Sequence, residues 1–250
     1  MPKPWIVDVH SHVVPAGDDG VRTIDDAVRL CRRAAAHGTR VLYATPHVHA
    51  AWDSYPLTAE RLARYEESFP AVRDVCAGFG LELRRGFEVY PGAVPAADDL
   101  ALFALEGSGG CLIEFPGAWT SEPEPLRAVW DEAERAERAG LIPVLAHPER
   151  CAEVTADSDR VAAFRARGWL LAPNAMSLDG RHGGRARETL SRLLDAGAVD
   201  LVASDAHSDS RPPDLDWAYE LVARRYGADR ARPLFDGSAL ERRGLDRAAA

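Results

Sequence analysis

The sequence is poor in cysteine and contains no long apolar run. Its 250 residues include four scattered cysteines and no C-x-x-C pair, which indicates reduced, packed thiols and not disulfides or thiolate metal sites. No apolar stretch approaches the ~18 residues that a membrane-spanning helix requires. Residues 1–5 lead directly into a predicted strand without an apolar leader segment, so we expect no secretory signal and a cytoplasmic protein.

Basic residues are fewer than acidic ones, 30 against 39, and lysine occurs only at Lys3. The resulting net charge of -9 disfavours nucleic acid or an anionic membrane as a partner. Two further motifs are missing from the sequence. No G-x-G-x-x-G follows the first predicted strand, which disfavours a dinucleotide-binding fold, and no H-E-x-x-H places metal ligands on one helix.

Short apolar runs alternate with helical patterns about seven times, which predicts a parallel sheet with helices outside it. A barrel and an open doubly wound sheet both fit this order. We expect a single domain over residues 1–250, with residues 237–250 as a candidate flexible C-terminal tail. The helical pattern over residues 58–80 contains Pro70, which predicts a kink or two helices. The predicted strands are residues 5–9, 40–45, 81–89, 111–115, 141–146, 169–172 and 201–204.

Histidine, aspartate and glutamate recur where the predicted strands end. Neutral imidazole and carboxylate are the ligand types that hold Zn, Mn or Fe. In an α/β barrel the loops after the strands build the active site at one face, and six of the seven predicted strands end in such residues. This convergence favours a barrel with one metal centre. The residues are His10, His12, His47, Glu88, Glu114, His147, Asp205 and His207.

Spacing and burial support this interpretation. His10 and His12 lie two residues apart at a strand end, so both imidazoles can face one cavity, and D-x-H at residues 205–207 repeats the spacing. A lone H-x-H can also be a surface or capping pair. Glu88 and Glu114 end runs that should be buried, and a buried carboxylate needs a metal ion or another cation. A salt bridge to arginine is the alternative for either glutamate.

Residues 10–20, H-S-H-V-V-P-A-G-D-D-G, resemble the opening of the bacterial PHP-family metal-dependent protein-tyrosine phosphatases, which act with the tyrosine kinases of capsule and exopolysaccharide export. The resemblance extends from residue 8 to residue 226. The P-x-x-D-D-G continuation, E-F-P and H-P-E-R are more specific to this branch than H-x-H. The later similar motifs are A-T-P-H at 44–47, G-F-E-V at 86–89, L-I-E-F-P at 112–116, H-P-E-R at 147–150 and A-S-D-A-H at 203–207.

The resemblance implies a distorted barrel of seven βα units, the PHP fold, with three divalent metal ions. Manganese is the first expectation for these ions, with iron or zinc as alternatives. Of the adjacent pair Asp18 and Asp19, Asp18 is the weaker ligand candidate, and its alternative role is to cap the turn at Gly20. The implied ligands are His10, His12, Glu88 and Asp205 for the first ion, Glu88 as a bridge with Glu114 and His147 for the second, and Asp19, His47 and His207 for the third.

The implied activity is hydrolysis of phosphotyrosine by a metal-bound hydroxide. Metal ions ~3.5–4 Å apart hold phosphate oxygens and lower the pKa of bound water toward ~7, and no cysteine starts the C-x5-R loop of cysteine-dependent phosphatases. Arg150, in H-P-E-R, would bind phosphate through its planar guanidinium. Arg211 is the candidate for the family's second arginine, although it lies one residue closer to His207 than the family spacing. A surface salt bridge is the alternative role for Arg211.

A tyrosine autokinase of polysaccharide export is the partner that the resemblance implies. Two other functions stay open: a PHP phosphatase of a small phosphomonoester such as histidinol phosphate, and a non-catalytic regulator that binds phosphorylated tails. A nuclease is disfavoured because the sequence has no basic stripe.

Three histidines lie outside the implied ligand set. We expect His37 to contact a helix end, His49 to line the loop beside the third metal ion, and His182 to orient substrate. Aromatic residues that follow the ligand-bearing strands can stack on a phosphotyrosine ring or simply pack. They are Trp52, Tyr55, Tyr90 and Trp119.

Overall fold

Every predicted apolar run except the last forms strand structure. The computed structural model describes residues 5–50, 54–94, 97–117 and 122–241. All strand pairs within these residues are parallel, as a repeated βα order requires. The strands are β1 (Ile6–Asp8), β2 (Thr39–Ala44), β3 (His47–Val48), β4 (Glu82–Arg85), β5 (Glu88–Val89), β6 (Gly110–Glu114), β7 (Ile142–Ala146) and β8 (Leu170–Ala172).

Helices connect the strands. They are α1 (Ile24–Ala36), α2 (Ala59–Ala77), α3 (Pro125–Arg138), α4 (Ala152–Ala156), α5 (Ala162–Ala166), α6 (Gly184–Asp195), α7 (Asp216–Tyr226) and α8 (Ala228–Ala231). The side chain of Thr23 caps α1 by accepting the N–H of Asp26. The predicted division into two helices at Pro70 is wrong, because α2 continues through this residue, with Tyr65 and Phe69 buried in the same helix. Within the described ranges, no helix has the length and apolar character needed to cross a membrane.

Two sheets close into a barrel. One sheet has the order β1-β2-β4 and the other β3-β5-β6-β7-β8. Pairing continues from one sheet to the other, because Gly86 N donates to Ala44 O at 3.0 Å and Glu88 N donates to Pro46 O at 3.1 Å. A parallel bridge between residues 174 and 203 and another between residues 11 and 206 complete the ring. The predicted seven-unit barrel is confirmed, with β2–β3 and β4–β5 each forming one interrupted strand.

The seventh predicted strand, residues 201–204, is reduced to an isolated bridge. The reason is that the N–H groups on the side away from β8 bond outside the sheet. Val202 N donates to Leu234 O at 2.8 Å, and Ser204 N donates to the Asp8 carboxylate at 3.0 Å. The third predicted strand, residues 81–89, divides at Gly86, where a Cβ would come within 2.6 Å of the Leu105 side chain.

Alternate side chains of the strands face two apolar clusters. Those of the outer cluster, such as Leu42 and Ile113, pack with residues of the helices. Those of the inner cluster, such as Tyr43 and Leu112, fill the barrel interior. The C-terminal segment contributes to the inner cluster, and the candidate tail is therefore packed at its start, where Ala239 and Leu240 are buried. Residues 242–250 lie outside the described residues.

Candidate metal centre

The structure brings all nine predicted ligands together at the C-terminal ends of the strands. In each of four groups of three or four residues, the ligand atoms lie within 4.8 Å of one another. Eight of the nine ligands are buried, and Asp19 is the exposed one. The groups are His10, His12 and Asp205; His10, Glu88 and His147; His12, Asp19, His47 and His207; and His47, His49 and Glu114.

Glu88 lies at the middle of the site. Its Oε2 atom is 3.1 Å from His10 Nε2, 3.3 Å from His12 Nε2 and 3.0 Å from His47 Nδ1. Its Oε1 atom is 2.9 Å from His147 Nε2. β3 and β5 cause part of this convergence, because their register places His47 opposite Glu88.

The donor set fits divalent cations. Glu88 Oε2 is fully buried and has no hydrogen-bond partner among the described residues, although three imidazole nitrogens surround it. His10 Nε2 and His12 Nε2 also face each other at 3.2 Å. A buried oxygen without a hydrogen bond is costly, and a cation held between it and the imidazoles satisfies all of these atoms.

Asp19 and Glu114 complete the outer parts of the site. Asp19 Oδ1 is 3.4 Å from His47 Nε2 and 3.2 Å from His207 Nε2, as the third predicted ion requires. Glu114 is displaced from its predicted group. Its Oε2 lies 3.1 Å from His49 Nε2 and 3.6 Å from His47 Nδ1, because the His49 imidazole offers it a nearby polar contact.

The backbone is strained at two predicted ligands. His147 has a φ of 40° and Asp205 a φ of 51°, and they are the only non-glycine residues with positive φ in the described part of the chain. Such conformations cost on the order of 1–3 kcal/mol and cluster at functional sites. Both residues follow barrel strands or bridges, where the turn aims the side chain into the centre.

Burial and neighbouring charges shift the pKa values of two predicted ligands, Glu88 and His12. Burial disfavours an ionised Glu88, but the neighbouring histidines His10 and His47 keep its pKa well below the usual range. Burial and the His47 charge likewise oppose a charged His12, yet the nearby carboxylates of Asp18 and Glu88 raise its pKa to about 9. A metal ion bound through His12 must therefore displace a proton at neutral pH.

Asp18 orients a predicted ligand in addition to capping its turn. Its Oδ1 accepts the N–H of Gly20 at 3.3 Å, as predicted. Its Oδ2 lies 2.9 Å from His12 Nδ1 and accepts the N–H of His47 at 3.1 Å. Gly20 is required here, because a Cβ would come within 2.4 Å of His12 O. Asp18 thus holds the imidazole of His12 with Nε2 directed at Glu88.

We expect Asp18→Asn to weaken metal binding about 10- to 100-fold, because it removes the charge that orients His12. Asparagine retains an oxygen for the turn at Gly20, so the fold should survive. Titration calorimetry with Mn²⁺ measures the effect. The control is Asp26→Asn, which alters an aspartate at the start of α1 whose carboxylate accepts hydrogen bonds from Thr23 and Arg29. Equal Mn²⁺ affinity in both variants would contradict the role of Asp18.

Both predicted arginines converge on one carboxylate oxygen. Asp205 Oδ2 accepts Arg150 Nη1 at 3.0 Å, Arg211 Nη2 at 2.7 Å and Asn174 Nδ2 at 2.9 Å. Asp205 Oδ1 instead faces His10 Nε2 at 3.4 Å. Arg211 therefore pairs with a buried residue of the site and not with a surface carboxylate. One oxygen of Asp205 faces the histidines and the other accepts the arginines.

Sequence reasoning missed Asn174, Glu149 and Ser177, which lie next to the arginines. Glu149 Oε1 accepts Asn174 N at 3.1 Å and Ser177 Oγ at 2.6 Å. For Glu149 the sequence did contain a signal, because it lies in the H-P-E-R motif between the predicted ligand His147 and Arg150. Asn174 and Ser177 have no such signal, because polar residues after a strand are common in loops.

The other candidate residues occupy different places. His37 is remote from the centre and lies 2.9 Å from Asp216 Oδ1. Tyr55 stacks on His47, with ring centroids 5.5 Å apart, and Tyr90 lies 5.0 Å from His49. Contact of these rings with substrate stays a prediction. Trp52 and Trp119 lie outside the described residues.

Comparison with known proteins identifies similar chains over nearly the whole length. The family model described as capsular polysaccharide synthesis, CpsB/CapC, matches residues 6–241. The chain is 28% identical to the tyrosine-protein phosphatase CpsB of Streptococcus pneumoniae, over 92% of this chain and 95% of the relative. It is 29% identical to the tyrosine-protein phosphatase YwqE of Bacillus subtilis, over 94% of this chain and 91% of the relative.

Solved structures show the same fold. A chain from the crystal structures of Bacillus subtilis YwqE and Streptococcus pneumoniae CpsB, described as metal-dependent tyrosine phosphatases, superposes with a TM-score of 0.72 at 25% identity. The match covers 92% of this chain and 91% of that chain. The phosphotriesterase homology protein of Escherichia coli shares the barrel with a TM-score of 0.56 at 10% identity, covering 96% of this chain and 99% of that chain.

Proposed function

The chain belongs to the CpsB/CapC family of capsular polysaccharide synthesis proteins, and on that premise we propose that it is a metal-dependent protein-tyrosine phosphatase. Relatives over most of its length carry this activity in their names. The observation that carries the proposal is the convergence on Glu88, whose buried oxygens face four imidazoles. Such a site binds cations, and a cationic site between two arginines suits a phosphate dianion.

We propose three divalent ions, with manganese first and iron or zinc as alternatives. When bound, the ions supply an activated water and the positive charge that offsets the phosphate. Glu88 would contribute to two of the positions, because its two oxygens face different histidines. The proposed ligands are His10, His12, Glu88 and Asp205 for the first ion; Glu88 and His147 for the second, with Glu114 turning to it from its contact with His49; and Asp19, His47 and His207 for the third.

The residues of the chain then bind and orient the phosphate. Arg150 and Arg211 are partly exposed, at 15% and 29% of their side chains, so each guanidinium can reach a phosphate at the mouth of the site. Each guanidinium carries five N–H donors in a planar arrangement that matches phosphate oxygens. Asp205 orients the two guanidinium planes, and the phosphate would lie between the arginines and the metal positions.

The proposed substrate is a phosphotyrosine-bearing protein, and the proposed partner is a tyrosine autokinase of polysaccharide export. The family's link to capsular polysaccharide synthesis supports this partner.

The test is a parallel assay on metal-depleted protein reconstituted with Mn²⁺, Fe²⁺ or Zn²⁺. A phosphotyrosine peptide and histidinol phosphate serve as substrates, with phosphate release as the measurement. We expect hydrolysis of the peptide to dominate and to depend on the added metal. Preference for histidinol phosphate would indicate a small-molecule phosphatase, and peptide binding without turnover would indicate a regulator; either result contradicts the proposal.

A further inference from the structure

A buried hydrogen-bonded chain leads from the H-P-E-R turn to His182. Ser177 Oγ lies 2.6 Å from Glu149 Oε1 and 3.0 Å from His182 Nδ1. Glu149 Oε1 also accepts the backbone N–H of Asn174, so it acts as an acceptor. Ser177 therefore donates its hydroxyl proton to Glu149, and its oxygen accepts a proton from His182 Nδ1. The imidazole is thereby fixed in the Nδ1–H tautomer, with a lone pair on Nε2.

His182 lies at the rim of the candidate centre. Glu149 and Ser177 are fully buried, whereas His182 is half-buried. Burial, followed by the charges of Arg150 and Arg211, lowers the pKa of His182 to about 4. The ring is therefore neutral at neutral pH, close enough to the site for the charges of Arg150, Asp205 and Arg211 to act on it. Within the described residues no side chain or backbone group forms a hydrogen bond with its Nε2.

A neutral acceptor in this place complements a donor and not a phosphate oxygen. Phosphate dianions have only acceptors, and the arginines supply the matching N–H groups. The part of a phosphotyrosine substrate that extends beyond the phosphate is polypeptide, which carries backbone N–H donors. A small aryl phosphate has no such donor.

We propose that His182 is a specificity-determining residue whose Nε2 accepts a hydrogen bond from the polypeptide of the substrate, and that Glu149 and Ser177 are positioning residues that fix its tautomer. This inference rests on the proposed phosphatase function. It assigns selection for a peptide to the loop between β8 and α6, while the metal ligands and arginines handle the phosphate.

Two substitutions separate the two nitrogens of His182. His182→Asn retains a donor near Nδ1 for Ser177 but has no group at Nε2. His182→Gln retains an acceptor near Nε2. We expect His182→Asn to raise KM for a phosphotyrosine peptide about tenfold relative to KM for p-nitrophenyl phosphate, the effect of one lost hydrogen bond. His182→Gln should recover most of this ratio, and kcat should change less than KM.

A binding measurement accompanies the kinetics. The Kd of a peptide that contains a non-hydrolysable phosphonate analogue of phosphotyrosine should rise in parallel with KM when titrated into the metal-loaded protein. Ser177→Ala should also raise KM for the peptide, because it removes the hydrogen bond that fixes the tautomer and the orientation of the His182 imidazole. The matched control is His37→Asn, which alters a histidine paired with Asp216 away from the site.

The outcomes distinguish this inference from the proposed function. Equal KM increases for peptide and p-nitrophenyl phosphate in His182→Asn would overturn the inference, since they indicate a phosphate contact or a general structural effect. Unchanged KM and Kd for the peptide would also overturn it, while peptide hydrolysis by the wild type would leave the proposed function standing. A wild-type protein that hydrolyses no phosphotyrosine peptide would overturn both.

Discussion

Glu88→Gln is expected to lower phosphotyrosine turnover by a factor of about 1000 and to remove most of the bound metal. Oε2 of Glu88 lies 3.0 to 3.3 Å from three histidine nitrogens, and Oε1 lies 2.9 Å from His147 Nε2. One substitution therefore weakens two proposed metal positions at once. Glutamine retains the shape of glutamate but carries no charge, and its amide nitrogen cannot bind a cation. Peptide turnover and metal content per chain are the measurements.

Glu132→Gln is the matched control for this prediction. Glu132 is also buried and accepts hydrogen bonds from Gly92 N and Arg135, but it belongs to none of the four ligand groups. We expect the control to keep wild-type metal content and turnover, with thermal unfolding recorded for both variants. A Glu88→Gln protein that retains three ions and full turnover would contradict the proposed centre.

The fold was predictable wherever a local pattern decides the structure. The alternation of strands and helices and the parallel pairing follow from the apolar runs and the βα repeat. The end of the barrel was not predictable in the same way. The pattern of residues 201–204 predicts a strand, but two of its N–H groups donate to the Leu234 carbonyl and to the Asp8 carboxylate. Those partners are distant in sequence, and no local propensity reports them.

The candidate site also has a part that the sequence predicts and a part that it does not. Eight of the nine predicted ligands converge because they lie where strands end, and a barrel brings strand ends to one face. Asp19 lies in a loop, and only the family resemblance predicted it. The contacts between loops were missed. Asn174 donates to Asp205 and Ser177 donates to Glu149, yet each residue alone resembles an ordinary polar loop residue. The contact of Glu114 with His49 depends on side-chain positions that residue spacing does not determine.

Arg150→Met is expected to lower kcat/KM for a phosphotyrosine peptide about 100-fold, with the metal content unchanged. The guanidinium of Arg150 lies at the mouth of the site and contacts Asp205 Oδ2, not the oxygen that faces His10. Arg150→Lys should recover only part of the loss, because an ammonium has no planar fork for two phosphate oxygens. Steady-state kinetics and metal analysis of the same preparations are the measurements. Loss of metal in Arg150→Met would contradict a role limited to phosphate.

Arg150 and Arg211 should be coupled because they share one acceptor, Asp205 Oδ2. Removal of either arginine leaves the other as the sole guanidinium on that oxygen, which draws it toward Asp205 and away from the phosphate. The double variant should therefore lose less kcat/KM than the product of the two single losses, as a double-mutant cycle measures. Arg33→Met is the matched control, since Arg33 pairs with Asp214 at 2.6 Å and should combine additively with Arg150→Met. Additive losses for Arg150 and Arg211 as well would mean that each arginine meets the phosphate independently, with Asp205 serving only the metal positions.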